Sequence, residues 1–319
     1  MIDIVRDEYG RTFKTLRVSL LSRCNLGCVY CSLADDGIPD KPAPDKPMPV
    51  QDLLQLIKTL HSQLQLKTIR LTGGEPLLYP DLVKVIEGIR EMGIESIKLT
   101  TNGFLLERLA KPMKLAGMKS INVSLDAVDE DVFFLMSKRN NVERIKDGIQ
   151  AAIEAGMEVK INAVLMKGIN EFQIIPLLEY AFEKNIIIRF LEVMAMGHLH
   201  QNSKKYLCTS QEILDVVSSR YNIQKLQRGN SSTANYWQTE HGHVFGIIAN
   251  ESEPFCHDCN RLRLDSHGNI YGCLSSNHPI PIGGINDPSQ LQEKLQQALL
   301  QKQAVRFTGS ELSMLDIGG

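Results

Sequence analysis

Three of the seven cysteines lie close together near the start of the chain, at Cys24, Cys28 and Cys31, in the spacing C-x3-C-x2-C. Thiolates this close on one loop can bind a single metal centre, whereas cysteines at this spacing seldom form good disulfides with one another. An ordinary four-iron cluster takes four thiolates, so three leave one iron open, as a catalytic metal site requires. The loop predicts an open iron–sulfur cluster beside a substrate. The alternatives are a zinc loop completed by a distant residue, or buried free thiols.

A second set of three cysteines stands near the C-terminus in the spacing C-x2-C-x13-C, at Cys256, Cys259 and Cys273. This spacing favours a second cluster but also suits a structural zinc site. The histidines near enough in sequence to supply a fourth ligand are His257, His267 and His278. Spacing alone does not decide between zinc and iron.

The segment Gly73-Gly74-Glu75-Pro76 follows directly after a predicted strand. Because Gly74 has no side chain, its backbone can approach a ligand closely. The Glu75 carboxylate can accept a hydrogen bond from an amino group. An ordinary turn is the alternative interpretation, but this tetrapeptide after a strand is much less common than a lone pair of glycines.

Several cations lie on predicted strands, where a parallel sheet favours apolar residues. Arg17, Arg70 and Lys160 are on three different strands and suggest an anionic ligand inside the sheet. Arg261 and Arg263 are two residues apart on an extended segment, so their side chains point the same way and can clamp a polyphosphate. Solvated strand ends are the alternative for both groups.

Predicted strands alternate with amphipathic helices through the first two thirds of the chain. The strand-like runs are 14–20, 68–71, 96–100, 120–125, 158–164 and 186–191. Such alternation predicts an α/β fold with a parallel sheet covered by helices. Polar signatures follow nearly every strand, and this favours a barrel over an open doubly wound sheet, whose site lies at one crevice.

The rest of the chain breaks this rhythm. Helices are predicted over 50–63, over 210–221 with Ser210 as the N-cap, and over 290–303. Residues 222–250 are predicted to be irregular or antiparallel, and four prolines make 40–49 an irregular connection.

The composition limits the class of protein. The 319 residues are 43% hydrophobic and carry a net charge of -2, which argues against a general nucleic-acid binder. Seven clustered cysteines, an odd number, indicate metal binding in a reducing compartment. The N-terminus lacks the apolar segment of a secretory signal, and no apolar run is long enough to span a bilayer. A cytoplasmic protein with no membrane partner is expected.

Taken together, these segments resemble a known enzyme family. The first cysteine triad with Tyr30 before its last cysteine, followed by Gly-Gly-Glu-Pro, resembles the radical S-adenosylmethionine (SAM) superfamily. The second triad, the Arg261-Leu262-Arg263 segment and the terminal Gly318-Gly319 resemble its GTP 3′,8-cyclase family, which acts in molybdenum cofactor biosynthesis. The likeness runs from about residue 14 through Cys273 and again at the tail.

The resemblance implies an incomplete (β/α)6 TIM-like barrel over 1–225 and a C-terminal cluster-binding domain over 226–319. It implies two [4Fe–4S] clusters, one on each triad, with SAM on the first and the guanine of GTP on the second. Positions that match the SAM site are Tyr30, Gly74, Ser124 and Met194, and Glu75 is placed with them. Positions that match the GTP site are Arg17, Arg70, Thr100, Lys160, Arg261 and Arg263. Gly318 and Gly319 are expected to reach into the active site.

The reaction implied by the resemblance is radical cyclisation of GTP to 3′,8-cyclo-7,8-dihydro-GTP, a lyase activity that begins with removal of the ribose 3′ hydrogen. The expected partners are a flavodoxin or ferredoxin as electron donor, the downstream cyclic pyranopterin monophosphate synthase, and a second copy in a homodimer. In one departure from the family, Thr68 stands where members usually have a basic residue. The alternatives are a related enzyme that acts on another nucleotide or a peptide, and a non-enzymatic electron carrier or zinc-stabilised module.

Overall fold

The structure, a computed structural model, describes residues 5–31, 47–285 and 287–318. Its strands are β1 (Thr15–Ser19), β2 (Thr68–Thr72), β3 (Ser96–Thr101), β4 (Ser120–Ser124), β5 (Glu158–Leu165), β6 (Ile187–Glu192), β7 (Ile223–Lys225), β8 (Asn235–Thr239), β9 (Val244–Ile248), β10 (Arg261–Leu264), β11 (Asn269–Tyr271) and β12 (Ile280–Pro281). Its helices are α1 (Val50–Leu64), α2 (Leu82–Glu91), α3 (Leu106–Ala116), α4 (Glu130–Ser137), α5 (Glu143–Glu154), α6 (Ile174–Glu183), α7 (Ser210–Ser218), α8 (Pro288–Leu299) and α9 (Met314–Ile317).

The strands form one sheet in the order β12-β11-β10-β1-β2-β3-β4-β5-β6-β9-β8-β7. Strands β1 to β6 are adjacent in chain order and parallel. Each connection between successive parallel strands is a right-handed crossover, and each moves to the next strand on the same side. All of the crossover helices therefore lie on one face of the sheet, and the sheet curls into a barrel. A doubly wound sheet would instead reverse its strand order. The partial-barrel prediction is confirmed.

The C-terminal part of the chain extends this barrel on both sides. Strand β10 pairs in parallel with β1, and β9 pairs in parallel with β6. The predicted antiparallel region near residues 222–250 is present as the pairs β7–β8 and β8–β9. The sheet therefore continues across residues 225 and 226, and the predicted domain boundary there stays a prediction.

Alternate strand residues divide the sheet into an apolar and a polar face. Leu16, Val18, Ile69 and Leu71 are fully buried and pack with helix residues in the main core. The residues between them point the other way, into the barrel. TIM barrels usually fill this interior with branched apolar side chains, whereas here it holds many polar and cationic ones. The sequence thus builds a polar chamber within the barrel.

One detail of the sequence prediction, the N-cap of α7, is wrong. Thr209, and not Ser210, is the N-cap of α7, because its hydroxyl accepts from the Glu212 amide while the Glu212 carboxylate accepts from the Thr209 amide. Ser210 is the first helical residue. Most of the proline-rich run 40–49 lies outside the described residues.

Among the helices that the structure describes, none is long and apolar enough to cross a membrane.

Candidate active site

The first cysteine loop runs against the Gly73–Glu75 turn, at the carboxyl ends of β1 and β2. The Gly74 amide donates to the Leu21 carbonyl at 2.7 Å, and the Glu75 amide donates to the Arg23 carbonyl at 2.9 Å. A Cβ at Gly74 would lie 2.3 Å from the Arg23 carbonyl oxygen. Glycine is therefore required at position 74 by the close approach of the cysteine loop itself.

The thiols of this loop are partly shielded from solvent and lie near one another. Burial raises the pKa of Cys24 to about 11 and of Cys31 to about 12, and raises that of Cys28 well above its usual value. Such thiols ionise only when a positive charge arrives, as a bound metal supplies. The Cys24 sulfur also accepts from the Leu26 amide at 3.4 Å and the Asn102 side-chain amide at 3.7 Å.

These features fit a cluster with three protein ligands. No three His, Cys, Asp or Glu side chains of the described ranges converge on a point that suits a single metal ion. The case for a cluster therefore rests on three clustered thiols and hydrogen-bond donors aimed at sulfur, and not on a preformed single-ion site.

Glu75 connects the turn after β2 to the turn after β3. Its fully buried carboxylate accepts from the Leu77 amide at 2.9 Å, the Thr101 hydroxyl at 2.6 Å and the Asn102 amide at 2.7 Å. Burial raises the pKa of Glu75 to about 7, although these hydrogen bonds favour the ionised form. Both oxygens thus already have protein donors, and a contact from Glu75 to a ligand amino group stays a prediction.

The other predicted SAM-site residues also lie at this edge of the sheet. The Tyr30 hydroxyl donates to one oxygen of Asp126 at 2.9 Å, and the Val164 amide donates to the other at 2.8 Å. Ser124 ends β4, and Met194 follows β6 and packs near Ile317 of the C-terminal tail. Tyr30 is therefore held in place by Asp126, which lies two residues beyond the end of β4.

The C-terminal tail lies between the two cysteine triads. The Leu315 amide donates to the Ser313 hydroxyl at 3.2 Å and lies near Cys31, and the Arg263 guanidinium donates to the Gly318 carbonyl. Gly318 has φ +80°, and a Cβ there would lie 2.8 Å from Cβ of Ser19. The predicted role of Gly318 in the active site stays a prediction, and Gly319 lies outside the described residues.

The second triad is held by a turn and by cations. The Cys259 amide donates to the Cys256 carbonyl at 3.2 Å, and Arg11 donates to that same carbonyl at 2.7 Å. Burial raises the pKa of Cys256 to about 11. Burial would also raise the pKa of Cys259, but Arg261 and Lys302 outweigh it and lower that pKa to about 6. This group of sulfurs with adjacent cations fits an anionic iron–sulfur cluster.

The predicted GTP-site cations are neighbours across the sheet. Arg17 is in register with Arg70 on β2 and with Arg263 on β10. Burial, followed by repulsion from these arginines, lowers the pKa of Arg17 well below its usual value. Arg70 lies 3.4 Å from the Thr100 hydroxyl. Cations this close, partly or fully shielded from solvent, favour a bound polyanion, since an anion offsets both their desolvation and their mutual repulsion.

The two remaining cations predicted for the GTP site, Lys160 and Arg261, already contact other groups of the protein. Lys160 forms an ion pair with Glu158 at 2.8 Å. Arg261 donates to the Ser231 carbonyl at 3.0 Å and lies over the Phe255 ring at 5.7 Å from its centroid. Its predicted alignment with Arg263 on one extended strand is present in β10.

Sequence interpretation missed two cations of the chamber. Arg189 on β6 is 8% exposed, and its Nε and Nη2 have no hydrogen-bond partner within the described residues. Lys98 on β3 is in register with Arg70, and burial followed by repulsion from Arg70 lowers its pKa. The available signal was a cation within an otherwise apolar strand, the same pattern that identified Arg17.

Two protein-family models match consecutive parts of the chain. The model described as the Radical SAM superfamily matches residues 18–181. The model described as Molybdenum Cofactor Synthesis C matches residues 186–308.

Curated relatives match across most of the chain. A GTP 3′,8-cyclase of Staphylococcus epidermidis is 38% identical over 283 residues, covering 86% of this chain and 82% of that protein. A GTP 3′,8-cyclase of Synechocystis is 34% identical over 313 residues, covering 98% of this chain and 94% of that protein.

Solved structures share the fold at low sequence identity. SuiB of Streptococcus suis bound to S-adenosylmethionine aligns with a TM-score of 0.61 at 17% identity, covering 88% of this chain and 66% of that chain. The protein anSMEcpe with bound AdoMet aligns with a TM-score of 0.60 at 15% identity, covering 91% of this chain and 81% of that chain. At these identities the likeness concerns the fold alone.

Proposed function

The chain belongs to the radical SAM superfamily and, within it, to the family of the GTP 3′,8-cyclases, and on this basis we propose that it converts GTP to 3′,8-cyclo-7,8-dihydro-GTP. This is the first step of molybdenum cofactor biosynthesis. Superfamily membership implies one [4Fe–4S] cluster and SAM. The observation that carries the substrate assignment is the cation-lined face of the barrel between the two cysteine triads.

In this proposal Cys24, Cys28 and Cys31 hold the first cluster, whose open iron is where SAM binds. When bound and reduced, this pair supplies the 5′-deoxyadenosyl radical that removes the ribose 3′ hydrogen. Asn102, which donates to the Cys24 sulfur, keeps that ligand oriented. Tyr30, Gly74, Glu75, Ser124 and Met194 form the surrounding SAM site at the carboxyl edge of the sheet.

The chamber cations position the nucleotide. Arg17, Arg70 and Lys160 bind the triphosphate together with the newly identified Lys98 and Arg189. The free N–H groups of Arg189 suit phosphate oxygens, because guanidinium presents donors in a fixed fork. Thr100 orients Arg70 through their contact. Holding the ribose against the radical source is a positioning effect, since correct placement removes much of the entropic barrier.

The second triad and the tail form the other wall of the chamber. Cys256, Cys259 and Cys273 would hold a second [4Fe–4S] cluster, which would bind the guanine of GTP. Arg261 and Arg263 carry the positive charge beside it. Gly318, whose carbonyl accepts from Arg263, closes the space against β1 and excludes water.

The wider setting follows from this chemistry. A flavodoxin or ferredoxin supplies two electrons, one to cleave SAM and one, taken up with a proton, to convert the cyclised nucleotide radical into the dihydro product. That product passes to a cyclic pyranopterin monophosphate synthase. The free cysteines and the oxygen-sensitive clusters suit the reducing cytoplasm. We also propose a homodimer, and no nucleic-acid or membrane partner.

The decisive experiment is anaerobic incubation of the reconstituted protein with SAM, dithionite and GTP, followed by mass spectrometry. We expect 5′-deoxyadenosine together with an isomer of GTP. Parallel reactions with ATP and with a peptide mixture test the alternative substrates. Formation of 5′-deoxyadenosine with no GTP-derived isomer overturns the substrate assignment. Metal analysis complements this test, because one cluster plus zinc contradicts the two-cluster proposal.

A further inference from the structure

Lys302 places a buried ammonium group against the second cysteine triad. Its side chain donates to the Cys259 sulfur at 3.3 Å, to the Arg261 carbonyl at 2.8 Å and to the Gly272 carbonyl at 2.7 Å. The residue is 8% exposed. These three acceptors use all three N–H groups of the ammonium.

The contacts connect both arms of the triad. Arg261 follows Cys259 by two residues, and Gly272 directly precedes Cys273. A Cβ at Gly272 would lie 1.7 Å from the Ala298 carbonyl oxygen, so the backbone of the Cys273 loop packs directly against the C-terminal end of α8. Lys302 follows that end of the helix in the sequence. Lys302 therefore contacts both the loop that carries Cys259 and the loop that carries Cys273.

A buried ammonium is costly unless an anion offsets its charge. Lys302 forms no ion pair with a carboxylate in the part of the chain that the structure describes. Besides sulfur and carbonyl oxygens, its neighbour is the Phe13 ring, 5.0 Å from the ammonium. The negative charge beside Lys302 thus comes from the cysteine thiolates, Cys259 first.

We propose that Lys302 is a resident counter-charge of the second cluster, in addition to Arg261 and Arg263, and that it raises the reduction potential of that cluster. This role depends on the two-cluster function proposed above. An added electron increases the negative charge near the lysine, so the nearby cation and its N–H···S bond stabilise the reduced cluster more than the oxidised one. A purely structural tie between the two carbonyls would leave the potential unchanged.

The test uses the full-length chain with Cys24→Ser, Cys28→Ser and Cys31→Ser, so that only the second cluster gives a signal. Lys302→Met removes the charge and keeps the apolar stem. Lys294→Met is the matched control, because Lys294 lies on α8 and its ammonium donates to Gln297 at 3.5 Å and to no cysteine sulfur among the described residues. Iron and sulfide content are measured first, and then the potential by EPR-monitored redox titration.

We expect equal iron content in all three proteins and a more negative potential in Lys302→Met alone. An unchanged potential in Lys302→Met overturns the proposal. If Lys302→Met loses its iron, the variant Lys302→Arg, which keeps a positive charge, is measured in its place. Retention of iron by Lys302→Arg supports the counter-charge role of Lys302. Loss of iron in both variants indicates that the lysine side chain is needed for packing, and refutes the proposal. Absence of iron from the parent chain refutes the second cluster itself, and is recognised before any lysine variant is compared.

Discussion

Arg263 donates a hydrogen bond to the carbonyl oxygen of Gly318, and this contact fixes the C-terminal tail inside the barrel. Burial lowers the pKa of Arg263 to about 10. Cys259 and Cys273 lie close enough for their negative charges to raise it in part. At the other side of the tail, the Leu315 backbone lies close enough to Cys31 to favour its thiolate. The tail and Arg263 together thus connect the surroundings of both cysteine triads.

Removing the last two residues, 318 and 319, should abolish formation of the cyclised nucleotide while iron and sulfide content stay unchanged. Gly318 has no side chain that could bind a metal, but it occupies space between Arg263 and Ser19 that only a residue without a side chain fits. Product is measured by mass spectrometry and iron by colorimetric assay. Full activity of the truncated protein would refute an active-site role for the tail.

Gly74→Ala should disrupt the first cluster and spare the second. The new methyl group would lie 2.3 Å from the Arg23 carbonyl oxygen, so the cysteine loop must move away from the turn after β2. The matched control is Gly229→Ala, since a Cβ at Gly229 meets no atom within 4 Å. We expect about half of the iron in Gly74→Ala after reconstitution, and full iron in the control. Equal iron in the two variants contradicts the steric argument.

Arg189→Met should weaken GTP binding more than guanosine binding. Its Nε and Nη2 are buried without partners in the described residues, and phosphate oxygens are the acceptors that the proposal assigns to them. We expect a loss of about tenfold or more in GTP affinity, because a hydrogen bond to a charged group contributes about 1.5–3 kcal/mol. Isothermal calorimetry with the anaerobic protein measures both ligands. The exposed Arg108→Met on α3 is the control.

An equal loss for GTP and guanosine in Arg189→Met would place this arginine away from the triphosphate. An unchanged affinity for both would remove it from the nucleotide site altogether.

Glu75 should make the stability of the metal-free protein depend on pH. Its pKa rises from 4.5 in the unfolded chain to about 7 in the folded one, mainly through burial. Between these values the folded state binds more protons, so the free energy of unfolding falls as pH rises, by about 3 kcal/mol in total. The contribution is fully favourable below pH 4.5 and is lost by about pH 7.

Urea unfolding at pH 5 and pH 8 tests this prediction with Glu75→Gln, which cannot ionise. Relative to the wild type, the glutamine variant should lose less stability on going to pH 8. Glu91→Gln, at an exposed site on α2, controls for removal of a carboxylate. The same pH dependence in wild type and Glu75→Gln would show that Glu75 is not the group responsible.

The sequence alone predicted a metal centre on the first cysteine loop and the α/β fold class. Thiolates at the spacing of Cys24, Cys28 and Cys31 suit few centres other than a metal cluster, and spacing along one loop is a local property. Apolar alternation in β1 to β6 similarly determined which face packs on the helices, because side-chain direction along a strand has a fixed period. For the same reason, the two-residue spacing of Arg261 and Arg263 was enough to place both side chains on one face of a strand.

Tertiary structure decided everything that depends on register between distant segments. Pairing of β10 with β1 placed Arg263 beside Arg17, and curling of the barrel brought Arg189 toward them, although these residues are far apart in sequence. The position of Lys302 against Cys259 has no local signal either, since a lysine after a helix is usually solvated. Such positions depend on many weak contacts between segments that are distant in the chain, so no single stretch of sequence determines them.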